Sequence, residues 1–331
     1  MHRMIPGFLI VFMLAPGAAR AEVMKLATVA PEQSTWMQVM RDCEKELREA
    51  TNGAVELRLY PGGVSGDEKD VLRKMRFGQL SAGGLSGFGL GEIVPWVRVL
   101  ELPFLIETPD EAAAALDVAR DTLETAFARE GFEVLGWSSV GLIHIFSQHP
   151  IVDLETLRHA KMWLWEGDRL ALQLFKEADV SPIQVALPDV ITALDTGLLD
   201  AVYTSPLALL ALQWFTRVRY MTDLPLAHSV GAVVVSSSFM RKLGEPTSQT
   251  VRDVFASHMA RLDTLTRRDQ LEALQVLKES GIETAEVSPQ ARSTFKQLGK
   301  KVSDSLSGDL VPGWLVKEIE RAVAEHRRKT P

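Results

Sequence analysis

Between residues 35 and 50, apolar side chains recur at steps of three and four: Trp36, Met40, Cys43, Leu47 and Ala50. That spacing puts them on one face of a helix. Thr35 with Gln38 has the form of a capping box at its start, and Gly53 follows as its stop. Val55, Leu57 and Leu59 then alternate with polar residues, the pattern of a half-buried strand, and Pro61-Gly62-Gly63 ends it. Ser65 with Glu68 announces a second helix carrying Val71, Leu72 and Met75. Thr108, Pro109 and Glu111 start a third that runs to Gly131.

Beyond Gly131 the apolar runs shorten. Residues 132–135, 142–146, 162–165, 183–186, 201–203 and 231–235 read as strands, the last nearly pure valine and alanine, as expected for a strand covered on both faces. Helices fall between them, around 170–178, in a short stretch to Gly197, and from Ser205-Pro206 through Leu209, Leu212 and Phe215. Residues 246–277 form one polar-rich helical stretch without glycine. It is long for a single globular unit and suited to bridging two lobes. The alternation predicts an α/β protein with helices on both faces of mixed sheets. No repeat, low-complexity segment or linker interrupts it, so a chain with two lobes must cross between them inside structured segments.

Composition narrows the class. The chain has 331 residues, 46% hydrophobic and 24% charged, the balance of an ordinary globular protein. Its formal charge is −7, and loss of Arg3 and Arg20, the only charged residues before Glu22, takes it to −9. With no basic stripe, nucleic acid and anionic membrane surfaces are not expected partners. The start has the three regions of a secretory leader: His2-Arg3, an apolar run over 5–14, and Ala19-Arg20-Ala21 for cleavage, so residues 1–21 are read as a signal peptide and the remainder as periplasmic. Cys43 stands alone, excluding an internal disulfide, and lies on the apolar helix face as a packed residue.

Motifs of catalysis are missing. The glycines at 83, 84, 87, 89 and 91 form neither G-x-G-x-x-G, because Glu92 takes the last position, nor G-x-S-x-G, because Phe88 follows Gly84-Leu85-Ser86-Gly87. They are read as places of close backbone approach to a ligand or neighbour. His144 and His149 lack the helical spacing of a zinc pair, and no cofactor is expected. Trp163 and Trp165, two apart on a strand, share one face. The turn Glu166-Gly167-Asp168 follows at the strand's C-terminal end, where open α/β sheets bind ligands. Tyr203 ends a nearby strand in the same way.

Residues 161–206 read KMWLWEGDRLALQLFKEADVSPIQVALPDVITALDTGLLDAVYTSP, with Thr192-Ala193-Leu194, Thr196-Gly197 and Asp200 as signature positions. Upstream come Thr51-Asn52-Gly53, Tyr60-Pro61-Gly62, Gly66-Asp67, Gly78 and Leu102-Pro103-Phe104-Leu105. This ordered set resembles the DctP-like receptors of TRAP (tripartite ATP-independent periplasmic) transporters. The resemblance implies a two-lobed periplasmic-binding-protein-like fold with discontinuous lobes, placed at 22–140 plus 230–270 and at 141–229 plus 271–331. It also implies a small-molecule ligand in the cleft and a membrane-embedded permease as partner.

In that family an arginine of the K-x-R strand holds the ligand carboxylate; here Trp163 takes its place. Ile143 replaces a supporting arginine and Thr204 an asparagine. Without the cation, burying a carboxylate costs several kcal/mol. The expected pocket is therefore apolar, lined by Trp163, Trp165, Tyr203, Leu187 and Trp214, with Ser86, Glu166, Thr204 and His228 as polar contacts. It suits a neutral, aromatic or hydrophobic solute. A quaternary ammonium balanced by Glu166 or Asp189 is an alternative, as is an organic acid held by a substitute arginine such as Arg169. A secreted α/β hydrolase is the competing class, but no nucleophile–base spacing supports it. A receptor that signals without transport is the third reading.

Overall fold

A computed structural model describes residues 21–329, so the leader expected at residues 1–21 lies outside the described residues but for Ala21. β1 (Glu22–Thr28) runs parallel to β2 (Val55–Tyr60) and β3 (Ala82–Ser86), joined by α1 (Thr35–Ala50) and α2 (Glu68–Arg76). α1 buries Met37, Val39, Met40, Cys43 and Leu47 on one face, close to the stripe read from the sequence. Two caps sit elsewhere than expected. Ser34, not Thr35, accepts from the Met37 N–H, and Thr35 instead donates to Asp269. α2 is capped by Asp67 with Asp70 as the reciprocal partner, not by Ser65 with Glu68; Glu68 is turned inward and buried.

α3 (Gly87–Gly91), a 3₁₀ segment (Pro95–Glu101) and α4 (Pro109–Arg129) lead into β4 (Phe132–Ser147). The two strands expected at 132–135 and 142–146 are one continuous strand of 16 residues. Irregularities between Val134 and Gly136 and between Ser139 and Gly141 let it bend without breaking. α5 (Leu154–His159), β5 (Trp163–Trp165), α6 (Arg169–Glu177), β6 (Ile183–Val185), α7 (Val190–Asp195), β7 (Ala201–Thr204), α8 (Pro206–Ala211) and β8 (Tyr220–Thr222) follow. β9 (Ala227–Ser236) and α9 (Ser237–Leu243) then return the chain to the first strands.

The sheet runs β2-β1-β3-β9-β4 on one side, and β4 continues into pairings with β7 and β8 on the other. β5 and β6 are parallel to each other, and Met162 bridges to Ala201 of β7. Strand β4 therefore belongs to both sides, with β9 beside it over residues 132–143. The third link is α10 (Thr247–Glu279), 33 residues that pack on α1, β4 and α8. β10 (Glu283–Ala285), α11 (Pro289–Leu306) and α12 (Gly313–Lys329) complete the chain. α11 packs on α5 and α6, while α12 packs on α4 and the 3₁₀ segment. The fold is a mixed α/β, two-lobed architecture with discontinuous lobes and a long bridging helix.

Valines 233–235 of β9 are fully buried, as their covered position between β3 and β4 requires. Each such side chain contributes roughly 1.5–3 kcal/mol relative to exposure.

Candidate functional site

The two sides of the sheet meet at a layer of aromatic and charged side chains. From one side, the 3₁₀ segment presents Arg98 and Glu101, α2 presents Asp67 at its cap, and α3 presents Phe88. From the other, β5 presents Trp163 and Trp165, α6 presents its cap Asp168, and β7 presents Tyr203.

Two side-chain pairs bond across the layer. Arg98 Nη2 donates to both carboxylate oxygens of Asp168 at 3.0 Å, and Trp165 Nε1 donates to Asp67 Oδ2 at 2.8 Å. The rings of Phe88 and Trp165 meet across it with centroids 4.6 Å apart.

Arg98 is the only buried arginine or lysine among the described residues. Its Nε lies 3.2 Å from Glu101 Oε2, and among the described residues Nη1 has no hydrogen-bond acceptor. Burial works against its charge, but Asp168 and Glu101 outweigh that and hold the guanidinium firmly protonated. Glu101 is fixed in turn, accepting from Ser229 Oγ at 2.7 Å and from the Val230 N–H at 3.1 Å. Burial pushes its pKa up against the pull of Arg98. Glu68 is buried beside α3, accepting from the Ser86 N–H and Oγ and from the Gly89 N–H, each at 2.8 Å. Burial raises its pKa to about 7.

The glycine cluster serves these carboxylates. A Cβ on Gly87 would fall 2.1 Å from Glu101 Oε1, and one on Gly89 2.4 Å from Glu68 Oε2. The close approach read from the sequence is thus made to two buried acids.

A space of about 70 Å³ opens beside Arg98, lined also by Glu101, Ile143, Tyr203, His228 and Ser229. Of the residues expected in a pocket, Tyr203 and His228 line it. Trp163 does not. It is 2% exposed, stacked on Tyr203 at 4.9 Å and edge-on to Trp214 at 5.3 Å, with its indole N–H bonded to the Val185 carbonyl at 2.9 Å.

Trp163, Trp165, Leu187, Tyr203 and Trp214 come together, but as rings and side chains packed on one another, with Trp214 buried behind Trp163. Ser86 reaches the layer as the donor to Glu68. Thr204 pairs with His144 across the sheet, and Glu166 is exposed on the turn. Arg169 is paired with Asp309 at the surface and does not stand in for the missing arginine.

Sequence reasoning missed Arg98 and Glu101, saw Glu68 only as a capping residue, and named Asp168 only as part of the turn after Trp165. The pairing was spread too widely to read: Arg98 and Asp168 lie 70 positions apart.

The sequence pattern described as bacterial extracellular solute-binding protein, family 7 (DctP) matches residues 26–308. A solute-binding protein of Chromohalobacter salexigens is 29% identical over 158 residues, which span 47% of this chain and 47% of that protein. Two solved structures share the fold. DctP7 of Bordetella pertussis, an extracytoplasmic solute receptor binding pyroglutamic acid, has a TM-score of 0.84 at 20% identity, over 92% of this chain and all of that one. DctPAm of Advenella mimigardefordensis, in complex with galactonate, has a TM-score of 0.86 at 18% identity, over 92% and 98%.

Proposed function

Because the chain belongs to bacterial extracellular solute-binding protein family 7, the DctP family of TRAP receptors, we propose that it is a periplasmic receptor handing a small carboxylate-bearing solute to a TRAP permease. It is a binding protein and not an enzyme. Among the described residues no helix is long and apolar enough to cross a membrane.

The observation that carries the ligand class is Arg98: a buried guanidinium lining the cleft space, with Nη1 free to donate. The forked, permanently charged group suits a planar carboxylate. An incoming acid either takes Nη1 or displaces Asp168 from Nη2. Since burial already raises the Glu101 pKa, proton uptake there offsets the added negative charge.

The neutral, hydrophobic ligand expected from the sequence is set aside. Trp163 is packed among its neighbours and does not line the space beside Arg98. The similar receptors bind pyroglutamic acid and galactonate, both acids, which supports the carboxylate reading. The lobes are proposed as 22–140 with 230–270 and 141–229 with 271–331, with α12 strapped back across α4 of the first.

Calorimetric titration of the mature protein with pyroglutamate, galactonate and glucuronate, each beside its neutral amide, tests this. An acid should bind, and its amide should bind roughly a hundredfold more weakly. Arg98→Lys, which keeps the charge but loses the fork, should weaken the acid at least about tenfold. Equal affinity for acid and amide, or full affinity in a folded Arg98→Lys variant, would remove Arg98 from the site.

A further inference from the structure

A second recess, of about 360 Å³, lies between α4 and α10 and above β4 and β9, and it shares His228 with the space beside Arg98. We propose that it is a second binding site, for an uncharged solute with a ring or short-chain body and one hydrogen-bonding group.

Its walls are more apolar than polar, with Ser138 and Ser139 among the lining residues. Leu116 comes from α4 and Met259 from α10, with Trp137 and Val230 on the floor. Trp137, Val230 and Met259 are all buried. The volume is that of a pocket for a small organic molecule.

Charged groups stand only at the rim, and they are paired with each other. Arg267 bonds Asp110 at 2.8 Å and Asp263 at 3.3 Å, and Arg120 lies 3.7 Å from Asp117.

The polar group of the floor is His228, 5% exposed. Its Nε2 is engaged with Ser139 Oγ at 2.8 Å, and among the described residues its Nδ1 has no hydrogen-bond partner. An unpartnered ring nitrogen on a residue that lines the recess is a point at which a solute hydroxyl or amide can bond. Burial pushes the ring's pKa down to about 4, so it meets the solute as neutral imidazole. The body of the solute then covers Trp137 and Met259, and its polar group reaches inward to the histidine.

The probe is p-cresol, which has a flat apolar ring and one hydroxyl. Titrated into the mature protein, it should bind saturably as one equivalent, and a soaked crystal should place it between Trp137 and Met259. Ala260→Trp, which fills the recess from the exposed face of α10, should weaken it roughly tenfold or more. Ala256→Leu serves the same purpose if the larger side chain impairs folding. Arg98→Lys, in the cleft, should leave p-cresol binding unchanged. No saturable binding up to the solubility limit, or binding untouched by either filling variant, overturns the proposal.

Discussion

Glu68 and His228 respond to pH in opposite directions across one interval. Burial raises Glu68 from 4.5 to about 7 and lowers His228 from 6.5 to about 4. As pH rises from 4.5 toward 7, the unfolded chain gives up the Glu68 proton before the folded one does, so folding loses stability. As pH falls from 6.5 toward 4, the unfolded chain protonates the histidine first, so folding again loses stability. Each contribution reaches about 3 kcal/mol at most, and between about pH 5 and 6.5 they offset each other. Urea unfolding of the wild type should therefore be nearly independent of pH there. Glu68→Gln should grow more stable as pH rises and His228→Asn less stable; a flat profile in His228→Asn would deny the buried acid its raised pKa. At this scale the sequence was only half legible. Tyr203 was found because it ends a strand at the cleft, and His228 was named as a polar contact. Glu68 was seen only as a capping residue, because burial of an acid is decided by Ser86 and Gly89, 18 and 21 positions away. Trp163 was correctly paired with Trp165 on one side of the site, but spacing cannot say whether a ring lines an opening or closes it.

Element types were the most legible part. The α1 stripe, the long helix read at 246–277 and the valine strand were plain from periodicity alone. What periodicity hid was continuity: β4 looked like two strands because Gly136 and Gly141 interrupt its pattern, and both fall at irregularities that the strand survives. Gly141 is the sharper case. Its φ is +111°, a conformation L side chains rarely adopt, and a Cβ there would lie 2.3 Å from Gln270 Nε2. That amide donates to the Val140 carbonyl at 2.6 Å, and its oxygen accepts from the Leu207 N–H at 3.2 Å. One side chain of α10 thus pins the bend of β4 to the start of α8, where the chain passes between lobes. Gly141→Ala should cost about 2–4 kcal/mol, combining backbone strain with a displaced Gln270. Gln270→Ala leaves the backbone conformation in place and should cost less, about 1–2 kcal/mol for the two bonds. Equal stability of Gly141→Ala and wild type in urea would mean that the bend relaxes freely.

At the scale of the whole molecule the two lobes touch through groups the chain itself supplies. Arg98 bonds Asp168, Trp165 bonds Asp67, and Phe88 rests on Trp165. Asp168 therefore occupies the guanidinium that a solute carboxylate would use, and the compact form has partners without any ligand. Hinged proteins distribute between open and closed forms according to such differential contacts. Removing about 2 kcal/mol of cross-cleft bonding moves that ratio roughly thirtyfold. Trp165→Phe deletes the N–H to Asp67 while keeping a ring against Phe88. Asp168→Asn keeps the cap of α6, since asparagine caps helices as well as aspartate does, but removes the charge facing Arg98. Small-angle scattering of the ligand-free double variant should give a larger radius of gyration than the wild type. An unchanged scattering curve would show that packing across the layer, and not these two bonds, keeps the lobes together. The same substitution frees Arg98 from its internal partner, so an acid that binds the wild type should find a more open guanidinium but a less closed cleft. If closure contributes more than the competition with Asp168, the double variant binds more weakly; if the competition dominates, it binds more tightly. Calorimetry on both proteins therefore measures which of the two opposing effects of the Arg98–Asp168 pair is larger.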